Sequence, residues 1–193
     1  MNSNDTIRAF VALEVPEEGR IFLGSVATDL RRTRADVKWV RPEAIHITLK
    51  FLGEIAKDLI SDIERDLTPV FAELSPFRLT IRGLGAFPNL ARVRVIWAGI
   101  HEEKACLSSV AGRVETVLEP YGFAREKRPF SPHLTLGRAR SGKGMGELVD
   151  AIRQKLDLTG PSFVARHAVL FQSILKPTGA EYRALRHFPF CDR

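Results

Sequence analysis

The chain has little cysteine, no long hydrophobic run and fewer acids than bases. Its two cysteines, Cys106 and Cys191, form no CxxC pair and have no ligand pattern beside them. Neither a disulfide framework nor a zinc site is indicated, and Cys106 falls on an apolar helical face as a structural thiol would. No apolar stretch approaches the roughly 18 residues of a spanning helix, so no membrane role is expected. Met1-Asn2-Ser3-Asn4-Asp5 lacks the basic and apolar regions of a secretion signal, and a cytoplasmic location is the expectation. Beyond these first five residues no segment reads as disordered. With 23 acidic against 29 basic residues the net charge is +6. That suits an anionic partner such as RNA without specifying one. Two common site signatures are also missing. Gly83-Leu84-Gly85-Ala86-Phe87-Pro88-Asn89 reads as a loop but lacks the glycine spacing of a dinucleotide fingerprint. Ser131 beside Pro132 lacks a nucleophile elbow.

What the chain does have is a short pattern written twice. His46-Ile47-Thr48-Leu49-Lys50-Phe51 alternates as a strand, and His133-Leu134-Thr135-Leu136-Gly137-Arg138 repeats its His, aliphatic, Thr, Leu order. Each copy has a proline four residues before its histidine, Pro42 and Pro129. Side chains on a strand alternate between faces, so His46 and Thr48 share one face. Ile47, Leu49 and Phe51 are expected on the other, toward a core. The repetition suggests two similar lobes, each giving one strand to a shared groove.

The rest of the chain supports that layout. Strands are expected near 6–15, 37–40, 45–52, 77–82, 92–97, 131–139 and 181–188, with one long β-rich run over 163–175. Helices are expected near 16–32, 56–74, 102–119 and 145–156, each from apolar residues on one stripe. Pro69 predicts a kink or break in the second helix. Lys176-Pro177-Thr178-Gly179 reads as a turn. No linker separates the halves, so residues 1–193 are expected to form one domain of two lobes, with the His-x-Thr motifs at 46–48 and 133–135. The fold class is α+β, with antiparallel sheets and helices on their outer faces.

Two imidazoles across a groove can divide acid–base work, one accepting a proton from water and one donating to a leaving oxygen. Threonine hydroxyls can donate to phosphate oxygens. A metal site competes, but threonine is a poor ligand and no carboxylate or cysteine stands at a completing spacing. A purely structural histidine also competes for either copy alone. It gives no reason for threonine at +2 and proline at −4 to recur. His101, His167 and His187 are isolated in sequence and read as structural.

These residues resemble the two-histidine (2H) phosphoesterase superfamily, and more narrowly the bacterial and archaeal RNA 2′,3′-cyclic phosphodiesterases, also known as 2′-5′ RNA ligases. The flanks are similar as well: Arg8 to Leu13, Trp39 to Gly53, Leu84 to Pro88, Val95 to Trp97 and Phe130 to Arg138. The resemblance implies a bilobal fold, pseudo-twofold duplicated, whose two antiparallel sheets form a central cleft. It implies metal-independent hydrolysis of a terminal 2′,3′-cyclic phosphate of RNA to a 2′-phosphomonoester, with ligation as the possible reverse. His46 would be the proton donor to the departing 3′ oxygen and His133 the proton acceptor that activates water. Thr48 and Thr135 would hold the phosphate, and Phe51 and Arg138, each five residues after its histidine, would contact substrate. No cofactor or metal is implied, and the expected form is a monomer acting on RNA ends. Position +5 points away from the histidine on a regular strand. Arg138 therefore requires a bulge or twist, which Gly137 could permit, and for Phe51 core packing and base stacking both stay open. A non-catalytic RNA-binding module and a phosphodiesterase for another cyclic phosphate, of a nucleotide or of ADP-ribose, remain the alternatives.

Overall fold

The structure, a computed structural model, describes residues 5–102, 104, 106–177 and 179–191. Residues 1–4, within the segment without expected order, and Thr178 of the expected turn lie outside the described residues. The elements are β1 (Thr6–Glu14), α1 (Glu17–Arg31), β2 (Val37–Trp39), β3 (His46–Ala56), α2 (Leu59–Ala72), β4 (Phe77–Asn89), β5 (Arg92–Glu102), α3 (Cys106–Leu118), β6 (His133–Ala139), α4 (Met145–Arg153), β7 (Thr159–Ala165), β8 (His167–Lys176) and β9 (Gly179–Pro189). Among the described residues no helix is long and apolar enough to cross a membrane.

The fold is α+β and its strand pairs are antiparallel. The strands run β7-β4-β5-β6-β3-β1-β8-β9, and β2 pairs with β6. The two sheets expected from sequence are joined, but narrowly, because β3 and β6 pair only at Ile47 and Leu134. β5 lies along one edge of β6, and the other edge passes from β3 at Leu134 to β2 at Gly137 to Ala139. The two strands that carry the histidines therefore meet at one point and part, which opens a cleft.

The helices form where their stripes can be buried. In α1, Glu17 and Glu18 occupy the first turn, Arg31 the last, and Leu23, Val26, Ala27 and Leu30 face inward. The Arg31 guanidinium lies 5.7 Å from the Trp39 ring centroid, so this arginine caps a ring as well as the helix dipole. α2 runs through Pro69 to Ala72, so of the expected kink or break the break does not occur. One apolar core joins the inward residues of α1 to α4 to one face of the sheet, including Val11, Leu13, Ile47, Leu49, Leu134 and Leu136. On the opposite face of β1 and β8, a smaller cluster unites Phe10, Ala12, Val169 and Phe171.

Two expectations are corrected here. Residues 83–89, read as a loop from their glycines and proline, belong to β4 and pair with β5. The register shifts between Ile81 and Leu84, where Gly83 has φ 79°, so that glycine serves a bulge within a strand. The single β-rich run over 163–175 is two strands. β7 pairs with β4 and β8 with β1, so the chain crosses from one half of the sheet to the other at Arg166. Composition cannot show that change of partner.

Candidate active site

The site begins with the one bridge between β3 and β6. In an antiparallel pair, Ile47 opposite Leu134 sets His46 across from Thr135 and Thr48 across from His133. Ile47 and Leu134 are fully buried in the core, so all four polar residues share the opposite face. The two histidines stand on a diagonal across this bridge.

Both imidazoles are held the same way. His46 Nδ1 donates to the Ala44 carbonyl at 2.9 Å, and His133 Nδ1 donates to the Ser131 carbonyl at 2.8 Å. A carbonyl only accepts, so each neutral ring carries its proton on Nδ1 and leaves Nε2 as the basic nitrogen. Each anchor is the carbonyl two residues before the histidine. Pro42 starts the short 3-10 turn Pro42–Ala44 that presents the first of them.

A bulge in each strand decides which later residues join the site. In β3, Thr48 pairs with Ala12 and Lys50 with Val11, which leaves Leu49 extra. In β6, Thr135 pairs with Trp97 and Gly137 with Ile96, which leaves Leu136 extra. Both bulges fall three residues after the histidine, and each reverses the alternation beyond it. Phe51 and Arg138 therefore turn to the cleft, and Lys50 turns to the core. The expectation that Phe51 shares the core face with Ile47 and Leu49 is overturned: its ring is 57% exposed and lines the cleft. Beside this bulge, a Cβ at Gly137 would lie 2.6 Å from Val37 Cγ1, so glycine there lets the paired strand β2 lie close against β6.

The cleft has a volume of about 230 Å³, and its lining includes His46, Thr48, Phe51, Thr135 and Arg138. Arg8 and Tyr182 line it as well. His133 stands beside it, near enough for its charge to act on His46. Each histidine has an aromatic wall. The Phe10 ring stacks on His46 at 4.6 Å, and the Tyr182 ring meets it edge-on at 5.0 Å. Phe87 meets His133 edge-on at 5.0 Å and packs on Trp97 at 5.3 Å. Burial is the main reason that the His46 pKa is lowered to about 4, against the raising effect of its bond to Ala44. His46 is thus neutral in the free protein near pH 7. Burial also raises the Tyr182 phenol, outweighing the lowering charges of Arg138 and Arg8, so its hydroxyl remains a donor.

One metal-capable cluster occurs among the described residues, formed by Glu14, His167 and His187, whose ligand atoms lie within 4.8 Å of one another. His167 and His187, isolated in sequence, are therefore neighbours in space. His167 Nε2 lies 2.8 Å from Glu14 Oε2, and the His187 ring lies 5.7 Å from that of His167. None of the three lines the cleft.

The chain is similar to known proteins over most of its length. The pattern of the 2′-5′ RNA ligase superfamily matches residues 21–173. The chain belongs to the 2′-5′ RNA ligase superfamily. A curated relative from Archaeoglobus fulgidus, named RNA 2′,3′-cyclic phosphodiesterase, is 37% identical over 94% of this chain and 99% of its own. A relative of the same name from Aeropyrum pernix is 34% identical over 84% of this chain and 92% of its own. The crystal structure of TT0787 from Thermus thermophilus superposes with TM-score 0.82 at 28% identity, covering 97% of this chain and all (100%) of that one. E. coli LigT in apo form shares the fold, with TM-score 0.75 at 20% identity, covering 97% of this chain and 99% of its own.

In this member of the superfamily, sequence reasoning missed Tyr182 and Arg8 as cleft residues. Arg8 lies in a strand whose resemblance was noted, but nothing local marks its side chain. Tyr182 comes from the last strand, far from either motif. It reaches His46 only because β9 pairs with β8 and β8 with β1.

Proposed function

We propose that the protein is an RNA 2′,3′-cyclic phosphodiesterase that opens a terminal 2′,3′-cyclic phosphate to a 2′-phosphomonoester. The observation that carries the reading is the antiparallel meeting of the two His-x-Thr segments, with both Nδ1 atoms occupied and both Nε2 atoms left for chemistry. The names of the relatives support the same substrate.

In this mechanism water attacks phosphorus as His133 Nε2 takes its proton. The bond from phosphorus to the 3′ oxygen breaks, and His46 Nε2–H protonates that oxygen. Thr48 and Thr135 hydroxyls, the Tyr182 hydroxyl and the guanidiniums of Arg8 and Arg138 donate to the non-bridging oxygens, where charge gathers. Phe51 offers an exposed face to the terminal base. The step requires no metal.

The direct test is an assay with an oligoribonucleotide ending in 2′,3′-cyclic phosphate, run in excess EDTA, with the product mapped as 2′- or 3′-phosphate. A 2′-phosphate is expected at undiminished rate. A 3′-phosphate, activity restored only by added metal, or RNA bound and never opened would each overturn the proposal.

The donor role of His46 makes a second prediction. A group that titrates near 4 in the free protein must gain its proton when the anionic phosphate arrives, because a nearby negative charge favours imidazolium. By NMR of the imidazole nitrogens, His46 is expected to titrate at about 4 alone and at a higher pH with a nucleoside 2′-monophosphate bound. A midpoint unmoved by the ligand would reverse the acid and base assignments.

A further inference from the structure

A second groove, of about 730 Å³, opens beside the cleft at the ends of β4, β5 and β6 and against α4. Arg92, Arg94, Arg138 and Arg140 line it. Arg138 lines the cleft too, so the two concavities adjoin at this residue. Among the described residues, none of these four side chains has an ion pair or side-chain hydrogen bond. The carboxylate placed nearby by pairing, Asp36, accepts from the Ser141 hydroxyl at 2.7 Å instead. Lys38 of β2 is the cross-strand partner of Arg138 and adds a further exposed cation. Crowded like charges without counter-ions cost stability, and a polyanion laid along them removes that cost. The remaining lining, which includes Val93, Val95, Met145 and Val149, offers no aromatic ring and no carboxylate side chain. Such a surface fits phosphates and ribose without reading bases.

We propose that this groove binds the backbone of single-stranded RNA that leads 5′-ward from the end held in the cleft. The inference rests on the proposed function and deepens it: the preferred substrate is an oligoribonucleotide rather than a cyclic mononucleotide, with no base preference along the groove.

The test compares the wild type with the triple variant Arg92→Ala, Arg94→Ala, Arg140→Ala. For a cyclic-phosphate-ended oligoribonucleotide of about ten nucleotides, kcat/KM is expected to fall at least about tenfold at low salt. The slope of log kcat/KM against log salt becomes shallower by about 2, as three lost contacts to a single strand require. Turnover of a nucleoside 2′,3′-cyclic monophosphate stays near wild type, which also reports that the variant is folded, and the Arg→Lys triple variant keeps most of the oligonucleotide preference. Equal loss on both substrates, an unchanged salt slope, or a wild type that treats both substrates alike would overturn the inference. Anisotropy binding of a labelled oligoribonucleotide ending in 2′-phosphate judges the groove separately from cleavage. RNA that binds with the arginine-dependent slope yet is never opened would sink the proposed activity and keep the groove.

Discussion

Replacing either His46 or His133 with alanine is expected to lower kcat for opening a 2′,3′-cyclic phosphate by about 10²–10⁴-fold, the range for removing a positioned acid or base. The proposed step needs both groups at once, so the double variant should lose little more than the worse single one. Each single variant should stay folded. The His46 ring is partly buried against Phe10 and Tyr182, but its only hydrogen bond among the described residues is to Ala44, beside an open cleft. Steady-state kinetics on the labelled oligoribonucleotide, beside thermal melts, would check this. Near-full activity in either variant would end the two-histidine mechanism. A loss that tracks unfolding would assign the histidine to structure.

Lys50→Met is expected to destabilise the protein by about 3–5 kcal/mol, the cost of breaking a buried ion pair from one side. Lys50 is 3% exposed. Its ammonium lies 2.8 Å from Glu115 Oε1 on α3 and donates to the Ala124 carbonyl at 2.6 Å. Glu115 Oε1 also accepts from the Glu126 N–H at 2.9 Å. The pair thus ties β3, which carries His46, to α3 and to the segment that leads toward His133. Burial alone would raise the Glu115 carboxyl, but the bonds from Lys50 and Glu126 outweigh it and hold the pKa below its usual 4.5. Its folded pKa being the lower one, Glu115 stabilises the protein above the unfolded value and loses that contribution as pH falls through the folded one. Urea unfolding is the measurement. Pairing Lys50→Met with Glu115→Leu should recover much of the loss, because no charge is then left buried alone. A single variant within about 0.5 kcal/mol of wild type, the range of an ordinary surface change, would mean that the pair is effectively solvated.

Lys50 and Phe51 mark where the sequence stops being readable. A period of two sends Lys50 to the polar face and Phe51 to the core, and both assignments fail. The cause is one extra residue, Leu49, opposite β1. Nothing in the local composition announces it. In β6 the irregularity was legible, because Gly137 is a residue that a bulge could use, and the extra residue, Leu136, stands next to it. Tyr182, Arg8 and the Arg92–Arg140 groove lie further out of reach, since each depends on which strand neighbours which.

The sequence by itself determined the local patterns: two His-x-Thr strands, the apolar stripes that bury one face of each element, and a basic excess suited to RNA. These are local, set by side-chain type and by the alternation of a strand or the turn of a helix. Only the tertiary structure decided the single bridge at Ile47 and Leu134, the paired bulges, the aromatic walls that lower His46, and the buried Lys50–Glu115 tie. Those depend on strand register and on burial across the whole sheet, and both are settled by packing between residues far apart in the chain.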